Sequence, residues 1–225
     1  MIIECKGLTK KYPSEKGETH AVDKVDLSVN PGDFVVILGH SGSGKTTLLS
    51  MIGGLTMPDG GVILVDGMDI SQQPDHALAA MRNRKIGFIF QFASLIPTLT
   101  VMENILLPLS FGGVSAGSRE RAVEILAQVG LADKANAFPS QLSGGQQRRI
   151  AIARAFINQP DIILADEPTG DLDEETEMDI LSLFKTYNQK GTTFMVVTHN
   201  SDLAATQERA RVFFMRQGVL AEQAA

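Results

Sequence analysis

The sequence holds a single cysteine, Cys5, which excludes an internal disulfide framework and any four-cysteine metal site. That scarcity fits a reducing compartment. Positive charge is also short, with 20 Lys and Arg against 26 Asp and Glu and a net charge of −6. A protein that binds DNA or RNA without regard to sequence wants a basic face, so no nucleic-acid partner is expected. No run of about 20 apolar residues exists, and so no segment is expected to span a lipid bilayer. The start, Met1-Ile2-Ile3-Glu4-Cys5-Lys6, lacks the basic region, apolar core and small-residue cleavage site of a signal peptide. The expectation is a cytoplasmic chain. Repeats and low-complexity tracts are absent. What remains is 225 residues, 44% hydrophobic and 20% charged, enough for one large domain or two small ones with a substantial core.

The most informative stretch is Gly39-His40-Ser41-Gly42-Ser43-Gly44-Lys45-Thr46-Thr47. It follows the apolar β-branched run Phe34-Val35-Val36-Ile37-Leu38 and leads into Leu48-Leu49-Ser50-Met51-Ile52, which has helical character. Strand, glycine-rich turn and helix, with the spacing GxxxxGKT, form a phosphate loop. Glycines let backbone N–H groups converge on phosphate oxygens, and the helix presents its positive dipole end. Lys45 can reach the β- and γ-phosphates, and the Thr46 hydroxyl can ligate Mg²⁺.

Around it, Ile2 to Thr9 and Val22 to Val29 read as strands of an antiparallel layer, with Lys10 to Thr19 as a polar loop between them. Val62-Ile63-Leu64-Val65 followed by Asp66-Gly67 is a strand and hairpin signal. Helices are expected over Asp75 to Arg84, with Ala77, Leu78, Ala80 and Met81 on one face, over Ser118 to Val129, over Ser143 to Asn158 and over Asp173 to Tyr187. Short apolar strands are expected at Ile86 to Phe90, Ile162 to Ala165 and Thr192 to Thr198, and a closing hairpin at Arg211 to Met215 and Val219-Leu220. The stretch from Phe92 to Phe111 is apolar but interrupted by Pro97, Glu103 and Pro108, which suits a surface-competent segment.

Four of these strands each deliver a functional group just past their last apolar residue. Leu38 leads to the phosphate loop, Phe90 to Gln91, Ala165 to Asp166-Glu167, and Val197 to Thr198-His199. Open parallel α/β sheets build their sites at such carboxyl ends. Asp166 is placed to hold Mg²⁺, and Glu167 to polarise an attacking water, a contribution of about 10²–10⁴-fold for a positioned base. Gln91 and His199 would each read as ordinary solvated or structural residues if met alone. Leu142-Ser143-Gly144-Gly145-Gln146 offers a second anion-binding nest: a hydroxyl, free backbone N–H groups and a helix dipole. Alone it is also a plain helix N-cap; two nests in one chain suggest two copies paired head to tail.

Taken together, Gly39 to Thr46, Gln91, Leu142 to Gln146, Ile162 to Glu167, Gly170-Asp171-Leu172-Asp173 and His199 resemble, in order and over essentially the whole chain, the motifs of ATP-binding cassette (ABC) ATPase domains. The resemblance implies an α/β fold: a P-loop NTPase core with a mostly parallel sheet, an antiparallel β layer and a helical subdomain at about residues 92–158, all within one domain of residues 1–225. It implies ATP and Mg²⁺ as cofactors. Tyr12 would stack on adenine, and Gly39, His40, Ser41, Gly42, Ser43, Gly44, Lys45, Thr46 and Thr47 would bind phosphates. Ser143, Gly144, Gly145 and Gln146 would bind the nucleotide of the second copy. Thr46, Gln91 and Asp166 would hold the metal, and Glu167, His199, Lys45 and Gln91 would carry catalysis. Asp171 and Asp173 would lie in a loop meeting the partner subunit, and the segment after Gln91 would receive an integral membrane permease at the inner face of the cell membrane.

A finer likeness, to the lipoprotein-release and macrolide-export branch, rests on Phe88 to Gln91, Leu95 to Val101, Glu103-Asn104-Ile105, Pro108-Leu109 and Leu164 to Gly170. Asp171 stands where that branch usually has Asn, and Asn200 where Asp is frequent. Two other readings stay open at this point. One is a soluble ABC ATPase of the cluster-assembly type; the other is a regulatory ATPase signalling to a membrane partner.

Overall fold

A computed structural model describes residues 1–14, 17–112, 117–170, 172–207 and 209–223. Asp171 therefore lies outside the described residues. In chain order the elements are β1 (Ile3–Ser14), β2 (Gly17–Val29), β3 (Phe34–Leu38), α1 (Lys45–Ile52), β4 (Gly60–Val65), β5 (Met68–Asp69), α2 (Asp75–Lys85) and β6 (Ile86–Ile89). They continue with α3 (Val101–Leu106), α4 (Leu109–Gly112), α5 (Ser118–Gln128), α6 (Gly144–Phe156), β7 (Ile162–Asp166), α7 (Glu174–Gln189), β8 (Thr193–Thr198), α8 (Asp202–Ala205), β9 (Ala210–Arg216) and β10 (Val219–Glu222).

A six-stranded sheet has the order β10-β9-β3-β8-β7-β6 and is parallel except for its β9–β10 edge. A four-stranded antiparallel sheet, β2-β1-β4-β5, forms a second layer. The apolar runs of β3, β7 and β8 are buried at every residue, as strands covered on both faces must be. Side chains alternate across a strand. Val35 and Ile37 therefore join a core shared with the antiparallel layer and α1, while Phe34, Val36 and Leu38 join a core shared with α3, α5, α6 and α7. The α/β fold with mixed sheets and a helical layer is the expected one.

Four details differ from the sequence expectations. Lys10 to Thr19 is not a loop throughout: β1 extends to Ser14 and β2 begins at Gly17, the two paired as a hairpin arm with Lys11 opposite His20 and Tyr12 opposite Thr19. Backbone pairing holds this arm, so apolar alternation does not reveal it. Ala80 on α2 is exposed, whereas Leu78 and Met81 are buried. β6 ends at Ile89, one residue before Phe90, which is half-exposed. The apolar stretch after Gln91 contains a helix, α3, nucleated by a capping box: the Thr100 hydroxyl accepts from Glu103 N while the Glu103 carboxylate accepts from Thr100 N. No helix among the described residues is long and apolar enough to cross a membrane.

Candidate functional site

The carboxyl ends of β3, β7 and β8 converge on one cleft of about 640 Å³. Its phosphate-loop wall is His40 to Thr47, and Gly39 belongs to the loop through its carbonyl, to which Lys45 Nζ donates at 2.7 Å. A second Lys45 contact, to His40 O at 3.2 Å, folds the loop around the ammonium group. Within the loop, Ser43 N donates to His40 O at 3.2 Å. Gly44 has φ 107 at the mouth of α1, and a Cβ there would overlap the Ala21 carbonyl oxygen. Ser43 Oγ is buried in the loop with no hydrogen-bond partner.

Facing the loop, Thr46 Oγ1 donates to Asp166 Oδ2 at 2.7 Å. One hydroxyl and one carboxylate at the phosphate end of a cleft, with Gln91 on its wall, are the donor set that suits Mg²⁺, which takes few protein oxygens and completes its octahedron with water and substrate phosphate. Burial pushes the Asp166 carboxyl above its ordinary range, the Thr46 hydrogen bond opposes this, and the adjacent Glu167 adds to the rise. A cation arriving there would relieve that strain on the charged form.

Glu167 follows immediately and has φ 45, a left-handed conformation that costs a non-glycine residue about 1 kcal/mol or more. Its backbone is fixed by Glu167 N donating to Val197 O at 2.9 Å, and its carboxylate by Thr198 Oγ1 at 2.7 Å and His199 Nδ1 at 2.9 Å. Tyr12 stands on the hairpin arm at the outer lip, with Lys10 Nζ 5.7 Å from its ring centre. Thus Tyr12, the phosphate loop, Gln91, Asp166, Glu167 and His199 all meet in one cleft.

Ser143 to Gln146 do not. Ser143 caps α6 in a reciprocal box, accepting from Gln146 N at 3.3 Å while Gln146 Oε1 accepts from Ser143 N at 3.0 Å. Gly144 and Gly145 line a neighbouring recess with Phe92, Ala93 and Ser94, which meets the cleft at Gln91, Arg148 and Gly170. A Cβ on Gly144 would meet open space, so this glycine faces outward from its own chain. Asp173 caps α7, and the Thr176 N–H holds its carboxyl below the ordinary range.

Sequence reasoning gave no role to Arg148, which lines the cleft, is buried, and donates to Phe90 O and Gly170 O. It ties the start of α6 to the segments flanking Gln91 and following Glu167. Its position one turn into the Ser-Gly-Gly helix was the available signal. A second cavity, about 400 Å³ and mainly apolar, runs between α2, β6, α4 and α6, with Leu55, Phe88, Phe90, Leu107 and Phe111 on its walls. The segment after Gln91 supplies only part of this groove. Of its apolar residues Ile105 is buried, Leu95 is partly buried against the core, and Phe92 and Phe111 are 76% and 77% exposed.

Residues 22–170 match the profile of the ABC transporter family. The chain is 44% identical over 210 residues to a lipoprotein-releasing system ATP-binding protein, LolD, of Bacteroides thetaiotaomicron, covering 92% of this chain and 94% of that one. It is also 44% identical over 223 residues to a macrolide export ATP-binding/permease protein, MacB, of Syntrophobacter fumaroxidans, covering 97% of this chain but 31% of that longer protein. Among solved structures, the ATP-binding cassette MJ0796, described as a dimeric post-hydrolysis state bound to ADP and Pi, superposes with a TM-score of 0.91 at 41% identity over 99% of both chains. A second dimeric structure of that cassette, at 42% identity, also gives 0.91.

Proposed function

The chain belongs to the ABC transporter family, as an ATP-hydrolysing subunit, and from that premise we propose how its residues divide the work. Residues 1–225 act as one nucleotide-binding domain whose helical part, about residues 92–158, carries the signature nest. Two copies close head to tail on two ATP molecules. Tyr12 stacks on the base, the loop from Gly39 to Thr47 cradles the phosphates, and Lys45 spans the β- and γ-phosphates. Thr46, Asp166 and Gln91 hold Mg²⁺, which supplies charge neutralisation at the phosphates when bound. Ser143 to Gln146 of the second copy close over the γ-phosphate.

Glu167 accepts a proton from water as that water's oxygen bonds to the γ-phosphorus. The bond from γ-phosphorus to the bridging oxygen breaks, and its electron pair leaves with ADP. His199 holds the γ-phosphate from the β8 end. The observation that carries this reading is a division. One cleft gathers Lys45, Thr46, Asp166, Glu167 and His199, while Ser143 and Gly144 lie outside it and are exposed to solvent.

Closure does work only on something attached. The apolar groove bounded by Phe88, Phe90 and Phe111 is the surface we assign to a separate membrane permease, which holds the chain at the inner face of the cell membrane. Such an exposed apolar recess favours a helical partner element. The similarity to LolD and MacB supports extrusion of a lipoprotein, peptide or drug as the coupled process.

Glu167→Gln is the decisive variant. It keeps the shape and removes the base, so turnover should fall by about 10²-fold or more while ATP binding persists and the dimer becomes stable enough to isolate. Turnover near the wild-type rate would refute the assignment of Glu167.

A further inference from the structure

Both oxygens of the Glu167 carboxylate are occupied, but by side chains of very different freedom. His199, beside Oε1, has a side chain that is 74% exposed and can swing away. Thr198, which donates to Oε2 at 2.7 Å, is 1% exposed at the end of β8 and cannot. The direction of the Thr198 bond is fixed by its other neighbour. Asn200 N donates to Thr198 Oγ1 at 3.0 Å, so the hydroxyl's own proton is left to point at Glu167. Asn200 in turn donates from Nδ2 to Glu177 Oε1 at 3.2 Å, and the same oxygen accepts from Thr169 Oγ1 at 2.8 Å. An unbroken chain of hydrogen bonds thus runs from α7 to the carboxylate. The amide side chain at position 200 supplies only the link to Glu177, which a carboxylate there would oppose; the link to Thr198 comes from the backbone N–H.

We propose that Thr198 is a positioning residue for ATP hydrolysis. Its hydroxyl engages Oε2 permanently, fixes the plane of the Glu167 carboxylate, and leaves Oε1 as the oxygen that takes the proton of the attacking water. This rests on the reading of Glu167 as the base. Thr198 is buried and does not line the nucleotide cleft, so it acts only through Glu167. Misplacement of a reacting group by about 1 Å costs on the order of 100-fold, so loss of this tether should be visible in turnover.

The test uses the full chain and measures steady-state ATP hydrolysis. Thr198→Val, nearly the same shape without the hydroxyl, should lower kcat about 10- to 100-fold with KM for ATP within about twofold of wild type. Thr198→Ser, which keeps the donor, should recover to within about threefold. In the Glu167→Gln background, adding Thr198→Val should leave the residual rate unchanged. If Thr198→Val does not fold, Thr198→Ala replaces it in both backgrounds. Full kcat in Thr198→Val, or the same proportional loss with and without Glu167, would overturn the inference. The two failures are distinct: an active Glu167→Gln protein sinks the base itself, whereas an inactive Glu167→Gln beside a fully active Thr198→Val sinks only the role of Thr198.

Discussion

Thr46 and Asp166 meet at 2.7 Å although 120 residues separate them in the chain. The pairing joins the phosphate loop to the end of β7, and it holds a carboxylate that burial alone would rather keep neutral. Burial raises the Asp166 carboxyl, the Thr46 hydroxyl offsets part of the rise, Glu167 adds to it, and Lys45 and Arg148 pull it back. A carboxyl raised in the folded state binds its proton more tightly there than in the unfolded chain. Its contribution to stability is therefore full below the ordinary Asp value of about 3.9 and is lost as pH rises through the higher native value.

Asp166→Asn removes that loss. Without nucleotide or divalent cation, the variant should melt at a higher temperature than wild type at neutral pH, and the gap should shrink as pH falls toward 4. Turnover should be lost, the usual exchange of function for stability at a charged site. Thermal unfolding of both proteins from about pH 4 to 8 checks it; a variant that melts lower than wild type at neutral pH contradicts it.

Gly44 and Gly42 both have positive φ, but only Gly44 lacks room for a side chain. Gly42→Ala should cost about 1–2 kcal/mol, the backbone penalty alone. Gly44→Ala should cost more, because the new Cβ meets the Ala21 carbonyl and either β2 or the loop must move. Denaturant titration of the two variants ranks them, and equal losses would mean the loop is softer than its contacts indicate.

Phe111 is 77% exposed on the rim of the apolar groove, well outside the nucleotide cleft. Phe111→Asp should therefore leave nucleotide affinity and melting temperature close to wild type. Co-expressed with its permease, it should lose co-purification with the membrane fraction. Retained co-purification would move the docking surface elsewhere.

The site residues on strand ends were legible because burial on both faces imposes a wholly apolar run, and the first polar residue after it has to emerge at the sheet's carboxyl edge. Val36-Ile37-Leu38, Leu164-Ala165 and Val196-Val197 each show this. Other features depend on contacts that no local pattern announces. The hairpin arm carrying Tyr12 is held by register with β2, so its polar residues read as loop. Arg148 became part of the cleft only because α6 lies against Phe90 and Gly170, 58 and 22 residues away. Asn200, met in the sequence as a departure from a frequent Asp, donates to Glu177 beside the Thr169 hydroxyl. The apolar groove escaped because it is assembled from α2, β6, α4 and α6 together. The capping box of Thr100 and Glu103 is the exception, since its T-x-x-E spacing stands in plain view in a stretch where Glu103 reads as an interruption and not as a cap.

The central claim is that Lys45 of one copy and Ser143 to Gln146 of another complete a single site. Mixing Lys45→Ala chains with Gly144→Asp chains tests it most directly. In trans geometry the mixed dimer has one site with both defects and one with neither, so the mixture should trap one ATP per mixed dimer and regain part of the hydrolysis that each parent lacks. If the mixture stays as inactive as its parents, each site lies within one chain, and the account of a shared site is wrong.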